Sequence, residues 1–339
     1  MIAVEYHHDL KEVQSDARLA TLLSSPCQSA PFDRLEWWQG LAAHCGLRPR
    51  LAVARNGEHC AVLPLQDDTR GTVSALANWY TFCFRPVVTP GADGTALLTA
   101  LASDLAQRCH RLTLSGVPDE DGSASLVESA FRQAGWFVFR AACDSNHVLE
   151  PGGRDFAAYL AGRPGSLRTT LRRKGGKVHC DVLTTFDSAA WAEYEDIYAE
   201  SWKPGEGSAA FLRGFAQEEG AAGRLRLGIA RTGDGMAVAA QFWTVEGGTA
   251  FIHKLAHREN AKPLSPGTTL SAALFRHVID EDRVRMIDFG TGDDAYKRDW
   301  MEQVRPRYRL TMLRVQHPAN WSILAKNLAR RLAGKANGG

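Results

Sequence analysis

The sequence lacks the features that mark several large classes of protein. Its seven cysteines form no C-x-x-C pair and join no His/Cys cluster at zinc spacing, which favours free thiols in a reducing compartment. No apolar run approaches the roughly 20 residues that cross a bilayer, and the first residues show neither the basic nor the apolar region of a signal peptide. We therefore expect a cytoplasmic protein that binds no metal.

Neither sign of charge dominates, and no common hydrolase or dinucleotide motif is present. The formal net charge is +2, so the composition predicts no nucleic-acid partner. There is no G-x-S-x-G, and the single Gly-Thr-Gly lacks the third glycine of a dinucleotide fingerprint. With 45% apolar and 23% charged residues, the chain has an ordinary globular composition. A length of 339 residues exceeds one hydrophobic core and predicts two domains.

Two stretches about 174 positions apart share residues and spacing. One begins at Thr89-Pro-Gly and the other at Ser265-Pro-Gly, and each opens a helical pattern that is followed by an apolar strand. A threonine of each helical stretch, Thr95 or Thr269, precedes the glycine after that strand by 21 residues. A second match, of 50–55 with 226–231, has an offset of 176. Chance recurrence of short strings is the alternative, but two matches at nearly one offset favour a duplicated domain.

Periodicity and turn residues give the second half the order α-α-β-β-β-α-β-α-β. The first half repeats this order more loosely, with one strand predicted over 72–88 and a short last strand over 137–141. The segment 156–178 is helical at first and then densely basic, and Pro164-Gly165 and Gly175-Gly176 interrupt it. The predicted organisation is an N-terminal degenerate domain at 1–153, a basic crossing segment at 154–187, a C-terminal domain with the donor site at 188–318, and an amphipathic helix and tail at 319–339.

The stretch Ile287-Asp-Phe-Gly-Thr-Gly-Asp-Asp-Ala-Tyr-Lys297, followed by Trp300, resembles the hallmark of the Fem-related acetyltransferases of the GNAT superfamily. Members of this family include proteins encoded near cellulose and exopolysaccharide synthesis genes. Asn78-Trp-Tyr resembles part of the family's first domain. The resemblance implies an α/β fold with mixed sheets, made of two tandem GNAT acyl-CoA N-acyltransferase-like domains. It also implies transfer of an acyl group from a thioester to an amine.

In GNAT enzymes the pyrophosphate of coenzyme A lies on the amides at the start of the helix after the fourth strand. A helix N-terminus suits an anion because its first N–H groups lack partners inside the helix. Here Ser265 stands where the family pattern has its first glycine, and Pro266 contributes no amide donor. Fem-type proteins, which use aminoacyl-tRNA, also tolerate this departure. The expected donor is acetyl-CoA or a longer acyl-CoA, and the candidate residues are Lys262, Ser265, Gly267, Thr268 and Thr269.

The candidate catalytic residues follow from what aminolysis of a thioester requires. The attacking amine loses a proton, the departing thiolate gains one, and the tetrahedral oxyanion needs donors. The resemblance assigns protonation of the thiolate to Tyr296 and polarisation of the carbonyl to Lys297. Asp288 or Asp293 is expected to accept the amine proton, with His253 as the rival base. The structural alternative is that the acids cap a helix, Tyr296 packs and Lys297 is solvated.

Further aromatic and acidic residues are candidates for substrate binding: Trp79, Tyr80, Asp294 and Trp300. For Trp79 and Tyr80, as for Trp37-Trp38 and Phe82, packing in the first-domain core is the alternative. The last predicted helix has Trp321, Leu324, Leu328 and Leu332 on one stripe with basic residues beside it. Such a helix either docks on its own domain or makes peripheral contact with the inner face of the membrane.

Three functions remain open from the sequence. The first is a CoA-dependent N-acyltransferase whose acceptor is an amine of an envelope polysaccharide or lipid precursor, with a sphingoid long-chain base as a special case. The second is a Fem-like aminoacyl-tRNA-dependent peptidyltransferase that uses the basic run 168–177 on phosphates. The third is a non-catalytic scaffold of a polysaccharide synthesis complex. The sequence gives no oligomeric state.

Overall fold

The computed structural model describes residues 1–69 and 71–326. Thirteen strands within these residues form one mixed sheet. Their bounds are β1 Ala3–His7, β2 Pro49–Asn56, β3 His59–Asp67, β4 Thr72–Ala75, β5 Val87–Val88, β6 Arg111–Val117, β7 Phe137–Leu149, β8 His179–Leu183, β9 Leu225–Arg231, β10 Ala237–Glu246, β11 Thr249–His257, β12 Met286–Thr291 and β13 Gln303–Leu313.

Eleven α-helices are bounded within the same residues. They are α1 Leu10–Ser15, α2 Ala17–Leu22, α3 Leu35–Cys45, α4 Gly94–Leu105, α5 Ser123–Gln133, α6 Phe156–Ala161, α7 Gly165–Lys174, α8 Ser188–Ala199, α9 Ala209–Ala221, α10 Pro266–Arg276 and α11 Ala295–Trp300. Several begin where the sequence supplies an N-capping aspartate whose carboxylate accepts from first-turn amides: Asp9, Asp16, Asp93, Asp155 and Asp187.

The strand order is β1-β2-β3-β4-β6-β13-β7-β12-β11-β10-β9-β8, with β5 paired to β3. Neighbours are antiparallel except β4 with β6 and β11 with β12, which are parallel. The two halves of the sheet have the same strand order from the edge to the centre. In the first half the order is β1-β2-β3-β4-β6, and in the second half it is β8-β9-β10-β11-β12. The sheet therefore contains two copies of one arrangement, as the sequence repeat predicts.

The last strand of each half lies in the sheet of the other half. β7 pairs with β12, β13 pairs with β6, and the two exchanged strands pair with each other along their length. This exchange carries two polar residues of the first half, Asn146 and His147, to the edge of β12. Both are fully buried there.

The predicted order of the second half is confirmed, and so is the interruption between α6 and α7 at Pro164-Gly165. Two predictions in the first half are wrong. The stretch 72–88 is not one strand, because β4 ends at Ala75 and the chain is irregular until Val87. The strand predicted over 137–141 continues to Leu149, because it pairs with β13 along its length and with β12 at its end. The strands β1 and β8 are not found by the sequence reading.

The largest hydrophobic cluster joins the two halves. Trp37 of α3 packs edge to face against Phe211 and Phe215 of α9, with ring centroids 5.0 Å apart in both pairs. Trp37 and Trp38 are 3% and 1% exposed, which confirms core packing for this pair. The helices of both halves therefore share one core.

Residues 321–326 form the beginning of the predicted terminal helix, with Trp321 exposed. Leu328, Leu332, Arg330, Arg331 and Lys335 lie outside the described residues. Within the described part of the chain, no helix combines the length and the apolar character needed to cross a membrane.

Candidate active site

The candidate site lies where two parallel strands separate. Hydrogen bonding of β11 with β12 joins Thr249–Phe251 to Met286–Asp288 and then stops. The residues that follow on each strand, 252–255 and 289–291, line an opening at the sheet surface. Where two strands stop hydrogen bonding to each other and diverge, the space between them can hold a ligand.

Two adjoining cavities fill this opening. The turn pocket, about 240 Å³, is bounded by His253, Lys254, Gly290, Tyr296 and Lys297 among others. The helix pocket, about 290 Å³, is bounded by Trp202, His257, Lys262, Ser265, Gly267 and Thr268 among others. Leu255, Phe289 and Tyr296 line both. The turn after residue 289 and the start of α10 therefore border two adjoining cavities, which together form the cleft.

A third cavity of about 420 Å³, the first-half pocket, continues the cleft into the first half. It lies at the corresponding place, where β4 and β6 separate after Ser74 and Thr113. Trp79, Phe82 and Thr291 line both this pocket and the turn pocket.

The start of α10 is an open site for an anion. Ser265 adopts the left-handed conformation, with φ 54° and ψ 47°, so it keeps the turn that a glycine would make there. Its side chain does not cap the helix but accepts a hydrogen bond from Lys174 Nζ at 3.1 Å. Among the described residues, the amides of Gly267 and Thr268 have no hydrogen-bond partner. These donors and Lys262 face the helix pocket.

The corresponding helix of the first half is closed to an anion. The carboxylate of Asp93 caps α4 by accepting from Ala96 N at 2.9 Å. A negative side chain thus occupies the position that a bound anion would take. Of the two repeats, only the second presents an uncapped helix start to its cleft. Thr269 turns its hydroxyl back to Ser265 O at 3.3 Å, and Thr269 is not among the residues that line the helix pocket.

Tyr296 stands between the turn pocket and the helix pocket. Its ring meets Phe289 edge to face, with centroids 5.7 Å apart. Burial, the charge of Asp294 and a hydrogen bond to that carboxylate raise the pKa of the Tyr296 hydroxyl above its usual range. The phenol therefore stays protonated and can serve as a hydrogen-bond donor. Asp294 also lines the turn pocket.

Lys297 is buried beneath the turn, at 4% exposure. Its ammonium donates to the carbonyl of Thr291 and lies 5.5 Å from the centre of the Phe289 ring. Burial lowers its pKa, and Asp294 partly offsets this. The alternative of a solvated lysine is therefore wrong. Lys297 both holds the glycine turn in shape and presents a cation to the turn pocket.

Asp288 belongs to a buried network that does not border the cleft. Its Oδ1 accepts from Asn146 Nδ2 and from Gly290 N, both at 2.7 Å. The other end of the Asn146 amide accepts from Arg307 at 2.5 Å, and Arg307 also pairs with Glu120 at 3.0 Å. Burial raises the pKa of Asp288. The network fixes the exchanged strands around the turn.

Asp293 forms ion pairs outside the cleft. Its carboxylate, 51% exposed, pairs with Arg298 at 2.5 Å and with His147 Nε2 at 3.0 Å. Arg298 and, to a smaller extent, His147 hold its pKa low. Neither Asp288 nor Asp293 is among the residues lining the three pockets.

His253 lies at the floor of the turn pocket in an aromatic shell. Its Nε2 is 2.8 Å from Thr244 Oγ1, and its ring stacks on Phe242 at 5.1 Å. Burial lowers the pKa of His253 to about 3, with Lys254 and Arg34 adding to the effect. At neutral pH the imidazole is uncharged and only weakly basic.

The remaining sequence candidates divide between surface and core. Trp79 is 54% exposed at the cleft rim, so placing it in the first-domain core is wrong. Tyr80 is buried, and its hydroxyl donates to Glu206 at 2.7 Å. Trp300 is also buried and stacks on Phe275 at 4.7 Å, yet its edge borders the helix pocket.

Sequence reasoning missed the loop between α8 and α9. Residues 202–204 of this loop line the cleft, and Glu206 pairs with Lys254 at 3.0 Å. His257, which also lines the helix pocket, packs against Trp202 with ring centroids 4.4 Å apart. The sequence feature that could have indicated this loop as part of the site is a tryptophan with charged residues in a segment rich in glycine and proline. No group of three or more metal-binding side chains occurs in the described residues.

The repeated sheet, its exchanged strands and the cleft at the second helix start define a tandem GNAT-type acyltransferase fold. Residues 165–298 match the model of the family described as acetyltransferase (GNAT) domain. That match covers the basic helix α7, the helix α10 and the turn at Gly290.

Solved structures resemble the whole chain in fold. The C-terminal domain of a putative lysylphosphatidylglycerol synthetase from Agrobacterium fabrum has 13% identity and a TM-score of 0.59, over 95% of this chain and 97% of that one. FemX has 11% identity and a TM-score of 0.61, over 94% and 99%. A tandem GNAT protein from the clavulanic acid biosynthesis pathway has 13% identity and a TM-score of 0.53, over 91% and 98%. No curated protein matches the sequence significantly.

Proposed function

We propose that the protein is an N-acyltransferase that takes its acyl group from acetyl-CoA or a longer acyl-CoA. The observation that carries this proposal is the uncapped start of α10 in a cavity that Tyr296 also lines. The free amides of Gly267 and Thr268, with Lys262 beside them, suit the pyrophosphate of the donor. The thioester would then reach Tyr296 through the part of the cleft that both pockets share.

The chain's own groups supply the chemistry that aminolysis requires. The amine nitrogen bonds to the thioester carbon in the turn pocket, and the carbon–sulfur bond then breaks. The Tyr296 hydroxyl donates its proton to the departing sulfur, and the proton released by the amine restores it through water or Asp294. Lys297, held at Thr291, faces the developing oxyanion as a cation. His253 is too weak a base for this step, and Asp288 and Asp293 lie outside the pockets.

For the acceptor we propose an amine of an envelope polysaccharide or lipid precursor, a class that includes sphingoid long-chain bases. The first-half pocket offers an open route to the turn pocket past Phe82 and the exposed ring of Trp79. An aromatic rim of this kind accommodates a sugar face or an alkyl chain. The Asp288–Lys297 stretch forms the turn of this site, which supports placement in the Fem-related branch.

Calorimetric titration with CoA, acetyl-CoA and a long-chain acyl-CoA tests the donor. We expect binding of at least one ester, and its loss when a side chain is placed on the helix start at Gly267. Absence of binding by every CoA ester would remove the proposal. Mass spectrometry of the acylated amine formed from a mixture of amino sugars and long-chain bases would then identify the acceptor.

Transfer from an aminoacyl-tRNA is the second candidate, and one observation favours it. The basic helix α7 flanks the donor helix, since Lys174 bonds to Ser265 while Arg172 and Arg173 remain available beside it. Such cations suit either the 3′-phosphate of CoA or a nucleic-acid backbone. Transfer that is abolished by ribonuclease and unaffected by removal of CoA esters would select the tRNA donor.

A further inference from the structure

Three lysines from three different elements border the turn pocket. Lys203 lies in the loop after α8, Lys254 on β11 and Lys297 on α11. Lys297 is held by the Thr291 carbonyl, and Lys254 lies 4.0 Å from the centre of the Trp79 ring. Their convergence is a property of the folded cleft, because the three are far apart in sequence.

The positive charges in this pocket are incompletely balanced. Glu206 pairs with Lys254 at 3.0 Å, and Asp294, which also lines the pocket, partly offsets the lowering of the pKa of Lys203 and Lys297 that burial causes. In the described residues, Lys203 forms no ion pair, and its ammonium lies 5.2 Å from the centre of the Trp202 ring. After burial, which is the largest cause, repulsion from Lys203 is one of the effects that lower the pKa of both Lys254 and Lys297. Ammonium groups that repel one another in a half-enclosed pocket would be stabilised by a bound anion.

We propose that the turn pocket binds a phosphate group carried by the amine acceptor, with Lys203, Lys254 and Lys297 as its ligands. This inference rests on the proposed function, because it assigns an acceptor to the same cleft. A phosphate fits better than a carboxylate, since it offers three acceptor oxygens to cations that approach from separate elements. Lysines bind phosphate as point charges. Tyr296 borders the same pocket, so an amine a few bonds from the phosphate reaches the reacting carbon.

The test compares two probes that differ only in the phosphate, O-phosphoethanolamine and ethanolamine. The full-length protein is titrated with each, with and without saturating CoA, by calorimetry and by fluorescence of the cleft tryptophans. Under the proposed function, CoA occupies the helix pocket. If O-phosphoethanolamine bound at the start of α10 rather than in the turn pocket, saturating CoA would therefore abolish its binding signal. We expect O-phosphoethanolamine to bind at least roughly tenfold more tightly than ethanolamine, as a charge-assisted contact implies.

Two variants and a control locate the effect. Lys203→Ala, in a loop and without an ion pair, should reduce the preference for O-phosphoethanolamine roughly tenfold or more. Glu206→Gln removes a competing carboxylate and should strengthen binding of the same probe. Lys11→Ala, on the exposed surface of α1, should change neither value. Equal affinities for the two probes, loss of the preference in saturating CoA, or a preference that survives Lys203→Ala would overturn the proposal.

A further arm separates a lipid source from a soluble one. Phosphatidylcholine vesicles with and without phosphatidylethanolamine compete against O-phosphoethanolamine. If only the vesicles that contain phosphatidylethanolamine compete, the phosphate belongs to a lipid headgroup. If neither kind of vesicle competes while the protein still prefers O-phosphoethanolamine to ethanolamine, the phosphate belongs to a soluble amine. CoA binding without any phosphate preference would reject this inference alone. Suppose instead that the wild type prefers O-phosphoethanolamine, that Lys203→Ala loses this preference, and that no CoA ester binds. This result would reject only the proposed donor.

Discussion

The side-chain amide of Asn146 donates to Asp288 Oδ1 across 2.7 Å, although the two residues belong to different halves of the repeat. Asn146 lies on β7, the strand that the first half contributes to the sheet of the second. The same amide also donates to Gly290 O at 3.1 Å. The turn that carries the candidate catalytic residues is therefore held by a residue of the other half.

This contact gives Asp288 a structural role. In Asp288→Asn the remaining carbonyl oxygen can accept both hydrogen bonds, and a buried negative charge disappears. Because burial raises the pKa of Asp288, its ionisation opposes folding as pH rises above the usual aspartate range. We expect Asp288→Asn to have wild-type stability or slightly more at pH 7 and to keep most of its activity. Urea denaturation and steady-state rates measure both.

Asn146→Ala is the matched comparison, because it leaves the buried Asp288 carboxylate without its side-chain donor and with only the amide of Gly290. We expect a loss of about 1–3 kcal/mol in the free energy of unfolding, the usual range for an unsatisfied buried group. If Asp288→Asn instead lost two orders of magnitude in rate with its stability intact, Asp288 would be the catalytic base.

The exchange of strands explains what the sequence could and could not predict. Local signals placed most helices and strands, since aspartate caps and glycine turns act over a few residues. The polar run 144–147 was not assigned to a strand, because polar residues favour turns. The burial of Asn146 and His147 within it depends on β12 and β13, which are more than a hundred residues away in sequence.

The candidate site divides in the same way. The residues of one contiguous motif, from Asp288 to Lys297, could be found together, but their orientation could not. Asp293 turns outwards to Arg298, whereas Asp294 borders the cleft. Lys203 and Lys254 could not be predicted as site residues, because only the tertiary fold brings them to Lys297.

Tyr296→Phe tests the proton donor of the proposed reaction. The substitution keeps the ring that packs on Phe289 and removes the hydroxyl. We expect kcat to fall about 10²-fold or more, as when a general acid is lost, with little change in the affinity for CoA. Because the pKa of Tyr296 is raised, the wild-type rate should not decline between pH 8 and about 10 through loss of this proton.

Tyr308→Phe on β13 provides the control for removal of a phenol elsewhere, and its kcat should match the wild-type value. Stopped-flow measurement of thiol release separates the chemical step from product release. Equal rates for Tyr296→Phe and the wild type would show that another group protonates the sulfur.

Gly267→Ala separates donor binding from stability. A Cβ there would meet only His257 Nδ1, at 3.5 Å, so the fold can accept it. Alanine is better than glycine inside a helix by about 1 kcal/mol, so stability should rise or stay level. The new methyl group stands beside the free amides of the helix start and should weaken CoA binding. Calorimetry and thermal unfolding of one preparation measure both effects.

Gly214→Ala in α9 is the matched control, because a Cβ there meets nothing within 4 Å. It should give a similar gain in stability and leave the affinity for CoA unchanged. Unaltered CoA binding in Gly267→Ala would place the donor away from α10.

His253 predicts a specific dependence of stability on pH. The unfolded chain binds a proton at this residue near its ordinary pKa of 6.5, whereas the folded protein does so only near 3. Stability is therefore lost as pH falls through this interval, by up to about 1.4 kcal/mol per pH unit. Between pH 6.5 and pH 5 the contribution of His253 is about 1.6 kcal/mol, because the unfolded histidine is already half protonated at pH 6.5. His253→Gln should lose less stability over this range, whereas the exposed His8→Gln should behave like the wild type. Identical slopes in urea denaturation for all three proteins would mean that His253 accepts a proton in the folded state, and it would then return as the candidate base.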